Sequence, residues 1–272
     1  MNNSLQLAEA FVRAGELTDA LEVLHRHIES SPGDDDARRL RAAVCLRLAH
    51  GDHLWAALAD LDALTSADAG DEVQRSIILQ RFGDLPGALA AMSRARALKP
   101  DDDRITARYL ELLVQAGQRR AARDLLKTLP GTWRWLEAAG DLARDDGDFA
   151  EAVGHYTAAL DQLDARMDTA GDAFAAGLRV ALLSKRAAVY LAGGQSAPAE
   201  ADYRLLESLV PSDLTFVFYR GLALALRGEL DDACVICRAA LKDASAAMHA
   251  TMLTALDDDR LANLRAALIS SP

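Results

Sequence analysis

Aromatic side chains are scarce in this 272-residue chain: three Trp, five Tyr and six Phe make up 5% of it. Proline is scarce too, at seven residues, while alanine supplies about a fifth. This balance argues against a β-sandwich or barrel and for helices packed closely through small residues. Cysteine is nearly absent. Cys45, Cys234 and Cys237 are too few and too scattered for a disulfide framework, as befits a reducing compartment. No uncharged stretch approaches the roughly 18 residues a membrane span needs, and the opening MNNSLQLAEAF has no basic n-region, so a cytoplasmic protein without membrane attachment is expected. Positive charge is outnumbered, 30 Lys and Arg against 41 Asp and Glu. The net charge of −11, without any aromatic-interleaved basic tract, disfavours nucleic acid as a partner but leaves room for a local basic face.

A repeat runs through the chain. Gly15, Gly83, Gly117, Gly147, Gly194 and Gly228 each precede an alanine by five residues: Ala20, Ala88, Ala122, Ala152, Ala199 and Ala233. The glycines recur at 34 residues or its double in three of five intervals, and Pro32, Pro100 and Pro211 each lie seventeen residues after one of them. Apolar residues at three- and four-residue spacing on both sides of each glycine predict two amphipathic helices around a tight turn. The alanine is the small residue that lets the two backbones approach. Acidic clusters after the prolines, Asp34-Asp35-Asp36, Asp101-Asp102-Asp103 and Ser212-Asp213, are placed to cap the next helix.

In these features the chain resembles the tetratricopeptide repeat family. The fullest copy spans residues 133–160, with Leu136, Gly140, Gly147-Asp148-Phe149, Ala152, Tyr156, Ala159 and Leu160; Leu7, Phe11, Gly15, Ala20, Leu24 and Pro32 carry the first copy, and Gly221, Gly228, Ala233, Ala240 and Leu241 the last. The resemblance implies an all-α, right-handed superhelical solenoid of about seven helix pairs, followed by C-terminal capping helices. Units are expected to begin near residues 1, 36, 69, 103, 132, 178 and 214. They group as four units over 1–130, a fifth with a lengthened helical connection over 131–177, two more over 178–243, and capping helices over 244–272. Near Gly51 the turn-to-alanine spacing implies a one-residue slip, and before Gly83 the residues Val73 and Ile77 stand one position out of phase. Leu129-Pro130-Gly131-Thr132 shortens one unit by four residues, with Thr132 placed to cap the helix beginning at Trp133; residues 161–177 lengthen another by about thirteen, read as extended flanking helices with a flexible linker as the alternative.

Chemistry is thinly represented. There is no glycine-rich phosphate loop, no nucleophile elbow and no helix with two histidines three or four apart around a carboxylate. His25 and His27 are two apart on a helix and point different ways, and His50 and His53 flank a polar turn. Cys234 and Cys237 have CxxC spacing but sit where the repeat carries packing residues, with no second pair to complete a zinc site. A non-enzyme with no cofactor and no metal is expected.

The resemblance also implies a groove lined by the first helix of each unit, which meets a peptide or a partner helix. Projected onto this sequence, its stripe carries Arg38 or Arg39, Arg41, Gln74, Arg75, Arg104, Arg108 and Arg134, then Thr215, Phe218 and Tyr219, with Glu111, Glu137 and Asp141 as partial neutralisers. Arg104 and Arg108, four apart on one face, resemble the basic pair with which some family members hold a carboxylate, although the companion lysine and asparagines are missing. The expected groove residues are Arg41, Gln74, Arg75, Arg104, Arg108, Arg134, Phe218 and Tyr219, and Trp133 and Trp135 are read as core between units. The function expected from these features is a protein-binding adaptor or scaffold whose partner offers an acidic segment. The alternative is a self-assembly or complex-assembly module acting through its ends and its Met- and Leu-bearing C-terminal helices.

Overall fold

The computed structural model describes residues 3–166 and 173–269. It divides into two compact units, residues 1–122 and 123–272. Every regular element among the described residues is helical. The first unit holds α1 (Asn3–Ala14), α2 (Leu17–Ser30), α3 (Asp35–Leu48), α4 (Gly51–Asp62), α5 (Ala69–Arg81), α6 (Leu85–Leu98) and α7 (Asp103–Gln115), and the start of α8 (Arg119–Thr128). The second holds the rest of α8, then α9 (Trp133–Asp145), α10 (Phe149–Arg166), α11 (Ala173–Ala192), α12 (Ser196–Leu209), α13 (Leu214–Leu226), α14 (Leu230–Asp243), α15 (Ala246–Ala255), a 3₁₀ turn (Asp259–Leu261) and α16 (Ala262–Ile269). From α1 to α7, and again from α9 to α14, each helix packs on the next as a repeat array requires, while α15 packs on α13 and α16 on α14.

One local device closes the helix pairs. All six glycines of the repeat have φ between 71° and 87°, the left-handed region that costs glycine nothing. At each, the amide after the glycine reaches back to a carbonyl five residues earlier: Glu16 to Phe11, Asp84 to Leu79, Gln118 to Leu113, Asp148 to Ala143, Gln195 to Tyr190 and Glu229 to Leu224, all at 2.8–3.0 Å. These bonds satisfy carbonyls that the helix end would leave bare. Five residues on, the alanines are fully buried against the partner helix. Asp34, Asp102 and Asp213 accept backbone N–H bonds at the starts of α3, α7 and α13, as the acidic clusters predict. Thr132 stands at the cap position of α9, but its side chain makes no capping bond.

The second pair corrects the expected register. Gly51 is not a turn residue; it opens α4. The left-handed position belongs to Ala49, with φ 60°, the one non-glycine of positive φ among the described residues. Counted from Ala49 the period is unbroken, because it lies 34 residues from both Gly15 and Gly83. No slip is needed, and Leu54 takes the place of the buried alanine. The sequence hid this because alanine is an unfavoured choice for that conformation. Before Gly83 the small-residue position is filled by Ser76, fully buried, whose hydroxyl donates to the Ala88 carbonyl at 2.8 Å.

In the second unit two glycines admit close contact. A Cβ on Gly140 would lie 2.6 Å from the Tyr156 ring, and one on Gly221 would collide with the Cys237 sulfur. The α10 and α11 helices, 18 and 20 residues long, account for the extended segment on both sides of 167–172; Gly171 lies outside the described residues. Met252, Leu256, Leu261 and Leu264 from the last three elements form one core with Phe218, Leu222 and Cys237.

Ala49→Gly should stabilise the protein by about 1 kcal/mol, since glycine relieves the left-handed strain at a smaller entropic cost. Gly140→Ala should destabilise it by about 1–3 kcal/mol through overpacking against Tyr156. Urea unfolding of the two variants beside the parent protein measures both.

Candidate functional site

In the first unit α3, α5 and α7 present a common face whose residues bond across from helix to helix. Arg39 Nε donates to Asp71 at 3.1 Å and Arg81 Nη1 to the Leu46 carbonyl at 3.1 Å, joining α3 and α5. Arg108 Nη2 donates to Gln80 Oε1 at 2.5 Å, and Gln80 Nε2 donates to Gln115 Oε1 at 2.6 Å, joining α5 and α7. Helical spacing sets half-buried apolar residues on the same face: Leu40, Ala43 and Leu46, then Val73 and Ile77, then Ala107 and Val114. The result is a partly open apolar floor edged by guanidinium and amide groups.

Of the expected groove residues, Gln74, Arg104 and Arg108 come together here. Gln74 is half-buried, and its Oε1 is a buried acceptor with no hydrogen-bond partner in the protein. Arg104 is exposed, and among the described residues its guanidinium has no ion-pair partner. Arg108 is shared between Gln80 and Glu111, the latter at 2.8 Å.

Arg41 and Arg75 turn the other way, onto α4. Arg41 grips Asp60 with two bonds of 2.7 and 2.6 Å, and Arg38 adds a third contact at 3.4 Å. Asp60 is only 1% exposed, so these arginines neutralise a buried carboxylate instead of facing a ligand. The Asp60 hydrogen bonds also raise the guanidinium pKa of Arg41. Arg75 bonds the Leu61 carbonyl at 2.8 Å and pairs with Asp62 and Glu72. The cause is register: measured from Ala49, the α3 stripe runs through Arg39, Leu40, Ala43, Leu46 and Arg47, which displaces Arg41. Leu40, Leu46, Ile77, Gln80 and Gln115 were missed by the sequence reading, and the unbroken 34-residue spacing was the signal that pointed to the first two.

The remaining three belong to the second unit. Arg134 is exposed and lies 6.0 Å over the Trp133 ring. Phe218 is fully buried among Leu222, Met252 and their neighbours, so it is a core residue that a partner cannot reach. Tyr219 is half-buried and stacks on Tyr203 at 5.5 Å. Nearby, Lys185 donates to Glu137 at 2.6 Å and Asp141 at 2.8 Å, while the Tyr156 hydroxyl donates to Asp141 at 2.7 Å. The stripe of α9 and α11 is thus internally neutralised.

Other chemistry-bearing residues are absorbed into structure. Cys234 and Cys237 are buried free thiols, and burial pushes Cys237 up to about 12, the opposite of an activated thiol. His27 is buried and bonds Asp34 at 2.8 Å, tying the end of α2 to the cap of α3. The His50 and His53 rings meet edge-on at 6.2 Å. Among the described residues no three His, Cys, Asp or Glu side chains gather as a metal site, and no helix is long and apolar enough to cross a membrane.

Two tetratricopeptide repeat family models match the sequence, one over residues 79–132 and the other over 110–168 and 184–249, together more than half the chain. Solved structures agree in fold. A tetratricopeptide repeat protein from Parabacteroides merdae is 16% identical, with 93% of this chain and 97% of that one covered at a TM-score of 0.53. The C-terminal part of a TPR repeat-containing protein from Cytophaga hutchinsonii is 14% identical, with 88% and 93% covered at 0.66. A chain in the structure of Naa15/Naa10 bound to HypK-THB is 16% identical, with 94% of this chain and 38% of that one covered at 0.56. No curated protein matches the sequence.

The two kinds of arginine should separate by substitution. Arg41→Ala strips the main partner from buried Asp60 and should cost about 3 kcal/mol of stability. Arg104→Ala should stay within about 0.5 kcal/mol of the parent protein. Thermal and urea unfolding read both.

Proposed function

Because the chain belongs to the tetratricopeptide repeat family, we propose that it is a non-catalytic adaptor whose first-helix face in unit one binds an acidic segment of a protein partner. One observation carries the reading. On that face, exposed Arg47, Arg81 and Arg104 and half-buried Arg108 surround an apolar floor, while the arginines beside them are consumed by buried carboxylates. Guanidinium groups around apolar surface, with Arg108 ion-paired only to the exposed Glu111 and Arg81 bonded only to a backbone carbonyl among the described residues, suit a carboxylate-bearing chain with apolar residues between its acids.

The absence of catalysis is part of the proposal. The three thiols are buried, His27 ties a helix end to a cap, and His50 and His53 sit at a polar turn, so none of these usual nucleophiles and general bases stands in the arginine face. A cytoplasmic setting accords with three free cysteines. Self-assembly through the C-terminal helices draws less support, because Met252, Leu256, Leu261 and Leu264 are buried in their own unit, which leaves Leu253 and Ile269 as the large apolar residues exposed there.

Affinity purification from the native cells, with the parent protein and an Arg104→Glu/Arg108→Glu variant in parallel, tests the reading. A partner retained by the parent protein and lost by the variant is expected, with binding at least about tenfold weaker when the pair is purified. Equal recovery by both proteins would place the contact elsewhere.

A further inference from the structure

The repeat is cut short at the end of α8. The second helices α2, α6, α12 and α14 all run 14 residues, and their last turns bury Ile28, Ala95, Leu206 and Ala240. The α8 helix stops after 10, at Thr128. Pro130 lies just beyond and cannot be absorbed into a continuing helix. A whole turn of covering helix is therefore missing, and Leu129, which stands where Ala95 and Leu206 stand in their helices, is only half-buried in the bend after Thr128.

A cavity of about 110 Å³ occupies the gap, entirely within the second unit. Trp135 and Leu142, both buried, form its floor, and Leu126, Leu136 and Ala139 its walls. The pocket opens to solvent, and Arg123, Lys127, Glu151 and His155 join the apolar residues in its lining. The charged lining residues are exposed or half-buried. Arg123 is held by Asp146 at 2.5 Å, and His155 lies 3.5 Å from Glu151. Lys127 is different: its side chain is 74% exposed, and its nearest carboxylate, Asp124, is 3.7 Å away and also exposed. The mouth thus offers one loosely held cation beside an apolar hole.

We propose that this seam pocket binds a single bulky aliphatic or aromatic side chain from an extended partner segment, with Lys127 receiving a carboxylate on the neighbouring residue. The early end of α8 shapes the socket, with Leu129, Pro130 and Gly131 in its lining, and the incoming side chain packs against Leu126, Leu129 and Leu136. The site is separate from the arginine face of the first unit and does not rest on it.

The probe is N-acetyl-Leu-Asp-amide, titrated into the ¹⁵N-labelled full chain while the Trp135 indole N–H signal is followed by NMR. A saturable shift is expected. Replacing Leu by Ala in the probe should weaken binding at least about tenfold, as loss of one buried aliphatic side chain implies. Replacing Asp by Asn in the probe, or Lys127→Glu in the protein, should weaken it about threefold or more. Ala139→Leu fills the hole and should abolish the shift without lowering Tm; should it unfold, Ala139→Val and Lys127→Glu carry the same test. Arg104→Glu/Arg108→Glu should leave the titration unchanged, which separates this site from the first. Equal binding of the Leu and Ala probes, retained binding by folded Ala139→Leu, or no saturable shift up to tens of millimolar would overturn the proposal. Uptake of toluene without any response to the Leu probe would also overturn it, in favour of a free hydrophobic guest.

Discussion

Six of the helix pairs depend on a single reversal of the backbone, in which a glycine of positive φ ends the first helix and hands its bare carbonyls to the amides just beyond it, and in the α3–α4 pair Ala49 takes the same left-handed conformation. That hydrogen-bonded turn fixes the angle at which the second helix leaves. The fixed angle then brings a small residue five positions on against the partner backbone, so the alanines become fully buried without leaving a void. Everything else in the pair is placed by this geometry. The glycines that admit the Tyr156 ring and the Cys237 sulfur do so because the two helices have already been set at contact distance.

The same constraint divides the charged residues into two populations. Residues turned toward the partner helix enter a low-dielectric seam and must be neutralised, which is why Asp60 collects Arg38 and Arg41 and why Asp202 takes two bonds from Arg186, at 2.8 and 2.7 Å. Residues a step or two around the helix point away from that seam and keep their charge for solvent or for a ligand. Arg104 and Arg41 are chemically identical, and their different fates come from helix phase alone. An acidic protein can in this way keep guanidinium groups on one face, because buried carboxylates such as Asp60 draw in other arginines.

Irregularity supplies what regularity cannot. A repeat whose units cover one another completely has few concave apolar sites apart from its long faces. Where Pro130 follows the short α8, half-buried Leu126, Leu129 and Leu136 line a side-chain-sized socket whose buried base includes Trp135 and Leu142. The cost of leaving that apolar surface partly uncovered is a reason to look for an occupant there.

Much of the fold was legible from the sequence. The glycine and alanine spacing announced the turns, the prolines and aspartates marked the helix ends and starts, and scarcity of aromatics and prolines agreed with an all-helical array. Those signals are local, set by backbone conformation and hydrogen bonding within a few residues, and so they survive reading one residue at a time. The register at Ala49 was obscured because the one residue that adopts the left-handed turn without being glycine looks like any other alanine. Side-chain fate was legible only in part: Trp135, Cys234 and Cys237 read as packing residues and are buried, whereas Arg41, Arg75 and Phe218 read as surface residues by spacing, yet their environments are made by Asp60 nineteen residues away, by Leu61 and Asp62, and by Met252 in a helix near the end of the chain. The sequence by itself determined where helices turn, because turning is a property of the local backbone. Only the tertiary structure decided which charges remain free and where a pocket opens, because both depend on what a distant segment brings, or fails to bring, against the same surface.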